Sequence, residues 1–424
     1  MDRRDFMKLA GACGLVLASP LTTREAEAQE AAPYTGPLYI FVGASGGWDP
    51  TSFADPKGFL SETEENPMNR LYAAADIAKA GNIPYAPFTG AGSSYGRFVE
   101  KHYQNMLVLN GLDTQTNGHD SGRRNAASGK LAEGFPAFGA LVAAQYGGGM
   151  PMGFITNGFY DDTAGTTART RVGNLNAFQR IARPNAINAN DPTRGYHTDD
   201  TFKRIMEAQQ SRVLAMKEQM KLPKAQRSLG TLHLARGADN VLGQLLEALP
   251  EQRGNGLALQ AQLAIAAYKV GATVSATLST GGFDTHGNHD NGQLPSLDRL
   301  WDGVDAIWTE AERQGVADRV VVVVGSDFGR TPGYNMNNGK DHWSVTSMVC
   351  MGQGIQGNRV VGQSTQRHGL MNIDPTTLQP SESGVRLKPG HVHWALRKLS
   401  GLDKTRFHQE FQLDVDEFLP LFGG

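Results

Sequence analysis

Short apolar runs rich in β-branched residues punctuate this chain, and they open into loops of acidic, imidazole and hydroxyl side chains. Leu38–Val42 leads to Gly46-Gly47-Trp48-Asp49, and Met106–Leu112 leads to a polar loop carrying Asp113, Thr116, His119 and Ser121. Thr273–Ser279 leads to Asp284, His286 and His289, and Val320–Gly325 leads to Asp327. Met152–Thr156 and Ser347–Met351 predict two more short strands. Between them lie helical patterns at Pro136–Gln145, Gly256–Val270, Pro295–Gln314 and His391–Leu399. Leu297, Leu300, Val304 and Ile307 give the third of these a core-facing stripe. Two helices are expected between Asp199 and Leu249, the second with a face of Leu229, Leu232, Ala235, Leu242, Leu245 and Leu246. A short helical stretch is expected near Leu71–Lys79.

Helices alternating with buried strands predict right-handed crossovers and a mostly parallel sheet flanked by helices. The fold class is therefore α/β, with residues 29–424 as a single domain. Residues 157–198 have no clear period and read as an irregular insertion, either a functional cover or a poorly ordered segment.

Composition narrows the partners. With 40% hydrophobic and 19% charged residues and a net charge of −2, the chain shows no electrostatic signature for nucleic acid or an anionic membrane. The first residues read as an address. Asp2-Arg3-Arg4-Asp5-Phe6-Met7-Lys8 matches a twin-arginine export signal, an apolar stretch from Leu9 to Leu21 follows, and Ala26-Glu27-Ala28 supplies a cleavage site. That stretch is shorter than the about 20 residues a membrane span needs. Residues 1–28 are thus expected to be a signal peptide, with no transmembrane segment after its removal and a periplasmic or extracellular destination. Cys13 lies within it, which leaves Cys350 without an internal disulfide partner.

The candidate chemistry lies at the strand ends. Oxygen and imidazole donors gathered on one sheet edge suit a divalent cation such as zinc, manganese or calcium. Asp284 and His286 share one tight loop, with His289 close behind; the alternative is a turn-capping aspartate and two solvent-facing histidines. Asp327 ends a run of valines, where a carboxylate needs a metal, a hydrogen bond or an ion pair, with Arg330 as the available partner. His342 reads as a further ligand, with Asp341 as ligand or as the carboxylate orienting it. Asp49 reads as a first-strand ligand or, before a proline, as a turn residue. In the loop after Met106–Leu112, Thr116 or Ser121 is a candidate nucleophile beside His119. Arg123 and Arg124 are candidates to grip an anion, or else solvated basic residues.

Gly46-Gly47-Trp48-Asp49, Gly282-Phe283-Asp284-Thr285-His286, Ser326-Asp327-Phe328-Gly329-Arg330-Thr331-Pro332 and Asp341-His342-Trp343, behind a twin-arginine leader, together resemble a large bacterial family. It is the domain of unknown function 1501 family, within the alkaline-phosphatase-like superfamily that also holds sulfatases. The resemblance implies an alkaline-phosphatase-like fold and one or two divalent ions held by Asp49, Asp284, His286, Asp327 and His342. It also implies a Ser or Thr nucleophile, Thr116 or Ser121, or else an activated water. Arg330 or Arg123 would grip an anionic phosphate or sulfate ester. The chain departs from the superfamily pattern in the short Asp284–His286 spacing and in Phe328, where a histidine is usual. Within the family, Gly118 stands where relatives tend to carry serine. A metal-dependent ester hydrolase is the leading expectation. The alternative is an exported binding or assembly protein that kept the fold and lost the chemistry.

Overall fold

In the computed structural model of the chain, residues 34–172, 175–188, 191–222, 225–226, 229–230 and 241–423 are described. The expected signal peptide and the positions Leu232 and Ala235 lie outside them. Thr35–Gly424 forms one unit around an eight-stranded sheet. Its strands in chain order are β1 (Leu38–Ala44), β2 (Met106–Asp113), β3 (Phe154–Thr156), β4 (Arg169–Thr170), β5 (Ser275–Thr280) and β6 (Val320–Ser326). After a small ribbon of β7 (Gly329–Arg330) and β8 (His342–Trp343) come β9 (Val345–Gly352) and β10 (Arg359–Val361). Across the sheet the order is β10-β2-β9-β6-β1-β5-β3-β4.

All pairings in the sheet are parallel except those of β9, which runs antiparallel to both β6 and β2. The sheet is thus mostly parallel, as the sequence predicts. Every residue of β1, β2 and β6 is buried, which is why these strands read as continuous apolar runs instead of alternating ones.

The helices that bear on the sheet and its edge are α1 (Ser94–His102), α2 (His119–Ser128), α3 (Phe138–Tyr146), α4 (Gly256–Lys269), α5 (His289–Arg313) and α6 (Pro389–Leu399); two more, Asp199–Gln219 and Val241–Ala248, lie in the stretch where the sequence predicts two. Helix α4 packs on β5 and α5, α3 on β1 and β5, and α2 on β6 and α6. Helix α5 buries Leu297, Leu300, Trp301, Val304 and Ile307, and Trp301 stacks with Phe53, Tyr95 and Phe98. Among the described residues, no helix is long and apolar enough to cross a membrane.

Several elements differ from the sequence pattern. The segment near Leu71–Lys79 is a single 3-10 turn at Ala74–Asp76, and Ala78–Ala80 then pairs with Ile83–Tyr85. A short isolated helix is marginal there, whereas Gly81-Asn82 supplies the two-residue turn that a hairpin needs. Helix α5 starts at His289, six residues before Pro295, because Asn288 adopts a left-handed conformation (φ 48°) and buried His289 and Gln293 bond within its first turns. Helices α1 and α2 are absent from the sequence pattern. Helix α2 has no apolar stripe: its inner face is Gly122, Asn125 and Ala126, and it ends at Gly129 in a left-handed C-cap. The 157–198 stretch contains a helix at Leu175–Ala182 and a hairpin of Ala186–Asn188 with Asp191–Gly195.

Candidate metal centre

Sheet register brings the candidate residues together. Ala44, Thr280 and Ser326 lie side by side at the ends of β1, β5 and β6, so the loops bearing Asp49, Asp284, His286 and Asp327 leave from one edge. Antiparallel β9 enters the sheet at that same edge, with Val345 opposite Asp113 at the end of β2. His342 immediately precedes β9, and His119 opens α2 just beyond β2, so both reach the edge from the other side. The β7–β8 ribbon pairs Arg330 with His342.

Asp284 is the hub. Its Oδ1 lies 3.1 Å from His286 Nε2 and 3.2 Å from His342 Nε2, and its Oδ2 lies 3.6 Å from His119 Nε2. The two nitrogens His286 Nε2 and His342 Nε2 are 2.9 Å apart. In each ring the other nitrogen has an acceptor. His119 Nδ1 meets Asp327 Oδ2 at 2.7 Å, His286 Nδ1 meets Asp341 Oδ1 at 2.8 Å, and His342 Nδ1 meets the Asn117 carbonyl at 2.8 Å. An Nδ1 held by a carbonyl or carboxylate is the arrangement that lets Nε2 serve as a ligand atom. Three Nε2 atoms and the Asp284 carboxylate thus face one another at short range. With the proton on each Nδ1, that arrangement is repulsive unless a cation enters it. His119, His342 and Asp284 fit a divalent ion as the groups that would hold it, with His286 beside them at 3.1 Å from Asp284 and 2.9 Å from His342.

Burial alone would raise the Asp284 carboxyl, but hydrogen bonds from Arg330 and His342 outweigh it and bring its pKa down to about 2. Its side chain is 49% exposed, so the centre is open to solvent. Asp341 is lowered chiefly by His286. Asp327 is fully buried and burial pushes it up, against the opposing bonds from His119 and the Gly46 N–H. It stands one step back, holding His119. Gly46 can approach this closely because it has φ 121° and no side chain; a Cβ there would lie 2.5 Å from the Asp284 backbone nitrogen.

Asp49 lies in a second, closed cluster. Its Oδ2 accepts from Lys340 Nζ at 2.6 Å and His289 Nε2 at 3.1 Å, and its Oδ1 accepts from the Thr51 N–H and hydroxyl. Asp49, His289 and Lys340 are all fully buried. Burial would raise the Asp49 carboxyl, but Lys340 and His289 overcome it and hold it well below the carboxylate range. Burial lowers His289, which keeps it neutral.

Arg330 is also fully buried, and its guanidinium is engaged by the carbonyls of Gly46, Gly47, Phe283 and Lys340 and by Asp284. Its donors face the fold and not the solvent. Arg123 follows His119 by one turn of α2 and is partly exposed, paired only with exposed Asp120. Arg124 lies 3.7 Å from Glu133. Thr116 Oγ1 and Ser121 Oγ are 2.6 Å apart at the start of α2, and Ser121 also reaches the Gly118 carbonyl. Phe328 fills the space behind the ligands, with its ring 4.3 Å from that of His342 and 5.0 Å from that of His119.

The sequence pattern singles out neither Lys340 nor Gln293, whose side chain joins Gly47, Phe283 and Thr285 beneath the centre. A lysine in a Gly/Asn-rich loop looks solvated, and only the fold brings it to Asp49.

The model of the family described as "Protein of unknown function (DUF1501)" matches residues 159–379, just over half of the 424. No curated protein matches the chain. Solved structures similar to it include a sulfatase from Pseudoalteromonas sp., at 10% identity over 100% of this chain and 77% of that one, with a TM-score of 0.42. The alkaline phosphatase of the Antarctic bacterium TAB5 is similar at 10% identity over 86% of this chain and 99% of that one, with a TM-score of 0.37.

Proposed function

The chain belongs to the DUF1501 family, and from the centre it carries we propose that it is a metal-dependent hydrolase of phosphate or sulfate esters, exported by the twin-arginine route. The observation that carries this reading is the convergence of three imidazole Nε2 atoms on the Asp284 carboxylate, in a position water can reach. When bound there, a divalent ion supplies Lewis acidity toward an ester oxygen.

The chain's own residues do the rest. Asp327, Asp341 and the Asn117 carbonyl fix the tautomer and tilt of the three histidines. Arg330 pins Asp284 to the strand ends and keeps it ionised. Arg123, on the helix turn after His119, is the group placed to meet the anionic part of a substrate, assisted by the N-terminal end of α2. The Thr116–Ser121 hydroxyl pair offers a nucleophile, with water as the other choice.

The test begins with metal content. Elemental analysis of the full chain should find a divalent metal near stoichiometry, lost in Asp284→Ala and in His342→Ala. Phosphate and sulfate esters are then screened with the loaded protein. A metal-free wild type, with both variants folded as before, sinks the reading; stoichiometric metal with no turnover of either ester class leaves a metal-binding protein and removes the hydrolase.

A further inference from the structure

We propose that the buried Lys340 ammonium occupies the place of a second cation, so that the centre holds one divalent ion and Asp49 is a positioning group and not a ligand. The inference rests on the metal reading above and settles the number of ions that it leaves open.

Hydrogen-bond accounting carries it. A carboxylate offers about four acceptor positions. In Asp49 they are met by four donors: Lys340 Nζ and His289 Nε2 on Oδ2, and the Thr51 N–H and hydroxyl on Oδ1. The chain of bonds also sets the His289 tautomer. Gln293 Nε2 donates to Thr285 Oγ1, and the Thr285 hydroxyl is 2.7 Å from His289 Nδ1. His289 Nε2 donates to the Asp49 carboxylate, and Nδ1 is left to accept from the Thr285 hydroxyl. With its outward nitrogen protonated and its carboxylate partner saturated, this Asp–His pair has nothing left to offer a metal.

The ammonium is equally satisfied. Lys340 Nζ donates to Asp49 and to the Met68 carbonyl at 2.6 Å each, and lies 5.0 Å from the centre of the Tyr334 ring. Its backbone is tied down as well: its N–H donates to the Thr285 carbonyl, and its carbonyl accepts from Arg330 Nη1. Lys340 directly precedes Asp341 and His342. The fixed positive charge therefore also anchors the segment that supplies one ligand and the carboxylate orienting another.

The experiment counts ions. Zinc is added in excess to the metal-stripped full chain, free ion is removed by gel filtration, and zinc per chain is measured. Wild type should retain one. Asp49→Asn/Lys340→Met, which removes both buried charges at similar volume, should still retain one. Lys340→Ala, which frees Asp49 Oδ2, should retain two, and Asp49→Asn/Lys340→Ala should return to one. Two ions in wild type, loss of the ion in Asp49→Asn/Lys340→Met, or a single ion in folded Lys340→Ala would each overturn the proposal. No ion in wild type would bring down the metal reading itself, an outcome distinct from those three. Should Lys340→Ala fail to fold, the wild type and the charge-free double variant still decide the question.

Discussion

Two carboxylate–imidazole clusters sit at the same edge of the sheet, and they are built for opposite purposes. Around Asp284, the Nδ1 atoms face acceptors outside the cluster, on Asp327, Asp341 and the Asn117 carbonyl, and the Nε2 atoms face inward. Around Asp49, the protons point inward from Lys340, His289 and Thr51, and every acceptor is filled. The Asp284 side chain is 49% exposed and that of Asp49 is 0% exposed. The same residue types thus make an open centre in one place and a structural ion pair in the other. What separates them is the identity of the groups behind them: acceptors behind one set of histidines, a lysine in front of one carboxylate.

Breaking the closed cluster should have the largest effect on stability. Lys340→Met leaves Asp49 charged, buried and short of its strongest partner, a loss of about 3–5 kcal/mol. Asp284→Asn, in the open cluster, should cost less, about 1 kcal/mol, because the side chain is half exposed and the amide oxygen can still accept from buried Arg330, whose other donors stay on backbone carbonyls. Urea unfolding of the two variants beside wild type measures both. Equal losses would erase the distinction between the clusters.

Next in size is the outer support of the open centre. Asp327→Asn weakens the acceptor behind His119, and Asp341→Asn does the same behind His286. Each should lower zinc affinity about 10–100-fold while leaving one ion bound at saturation. Competition with a chromophoric chelator reads the affinity. A change in stoichiometry instead would make either carboxylate a direct ligand.

These variants also mark how far the sequence carries the reading. Asp327 stands out because a carboxylate ending a run of buried valines is costly unless partnered, and Asp284, His286 and His342 because Asp and His recur together in tight loops. The mostly parallel sheet is legible from the same buried runs. Helix α2 is not, since Gly122, Asn125 and Ala126 make no apolar stripe; Gly122 instead lets the helix come so close that a Cβ there would lie 2.4 Å from the Asp327 carbonyl oxygen. The role of Asp49 is not legible either, because its lysine lies 291 positions away in a loop. Tautomers are a property of neighbours in space, and no local spacing encodes them.

Acid titration separates the buried imidazoles from the Asp49 carboxylate by pH window. His391 and His393 are pushed down to about 4 chiefly by burial, and His289 is lowered for the same reason. The unfolded chain gains protons on these residues below about 6.5 while the native state refuses them. Stability is therefore present above pH 6.5 and is lost as pH falls toward 4, by up to about 1.4 kcal/mol per pH unit for each buried histidine. Asp49 acts lower down: its folded pKa is depressed, so its contribution is present above about pH 4 and is lost as pH falls below that value. Urea midpoints from pH 8 to 3 should show a steeper fall between about pH 6.5 and 4, where three histidines act together, and a shallower one below it. His393→Gln should flatten only the upper part, and Asp49→Asn/Lys340→Met only the lower.

The smallest effect is expected at Phe328, and it tests whether packing alone tunes the open cluster. Its fully buried ring lies against the imidazoles of both His342 and His119. A Cβ on Gly47 would lie 2.5 Å from it, so the ring has no room to move toward β1. Phe328→Leu keeps the site apolar and shortens the wall. Stability should fall by roughly 1 kcal/mol, in line with a near-conservative core exchange. The two histidines would then have space to tilt, so zinc affinity should drop a few-fold with the ion count unchanged. An unchanged affinity beside the same stability loss would mean that the hydrogen bonds from Nδ1 orient the rings unaided. A loss of 100-fold or more would mean the reverse, that the aromatic wall and not the acceptors behind the rings holds the lone pairs in convergence.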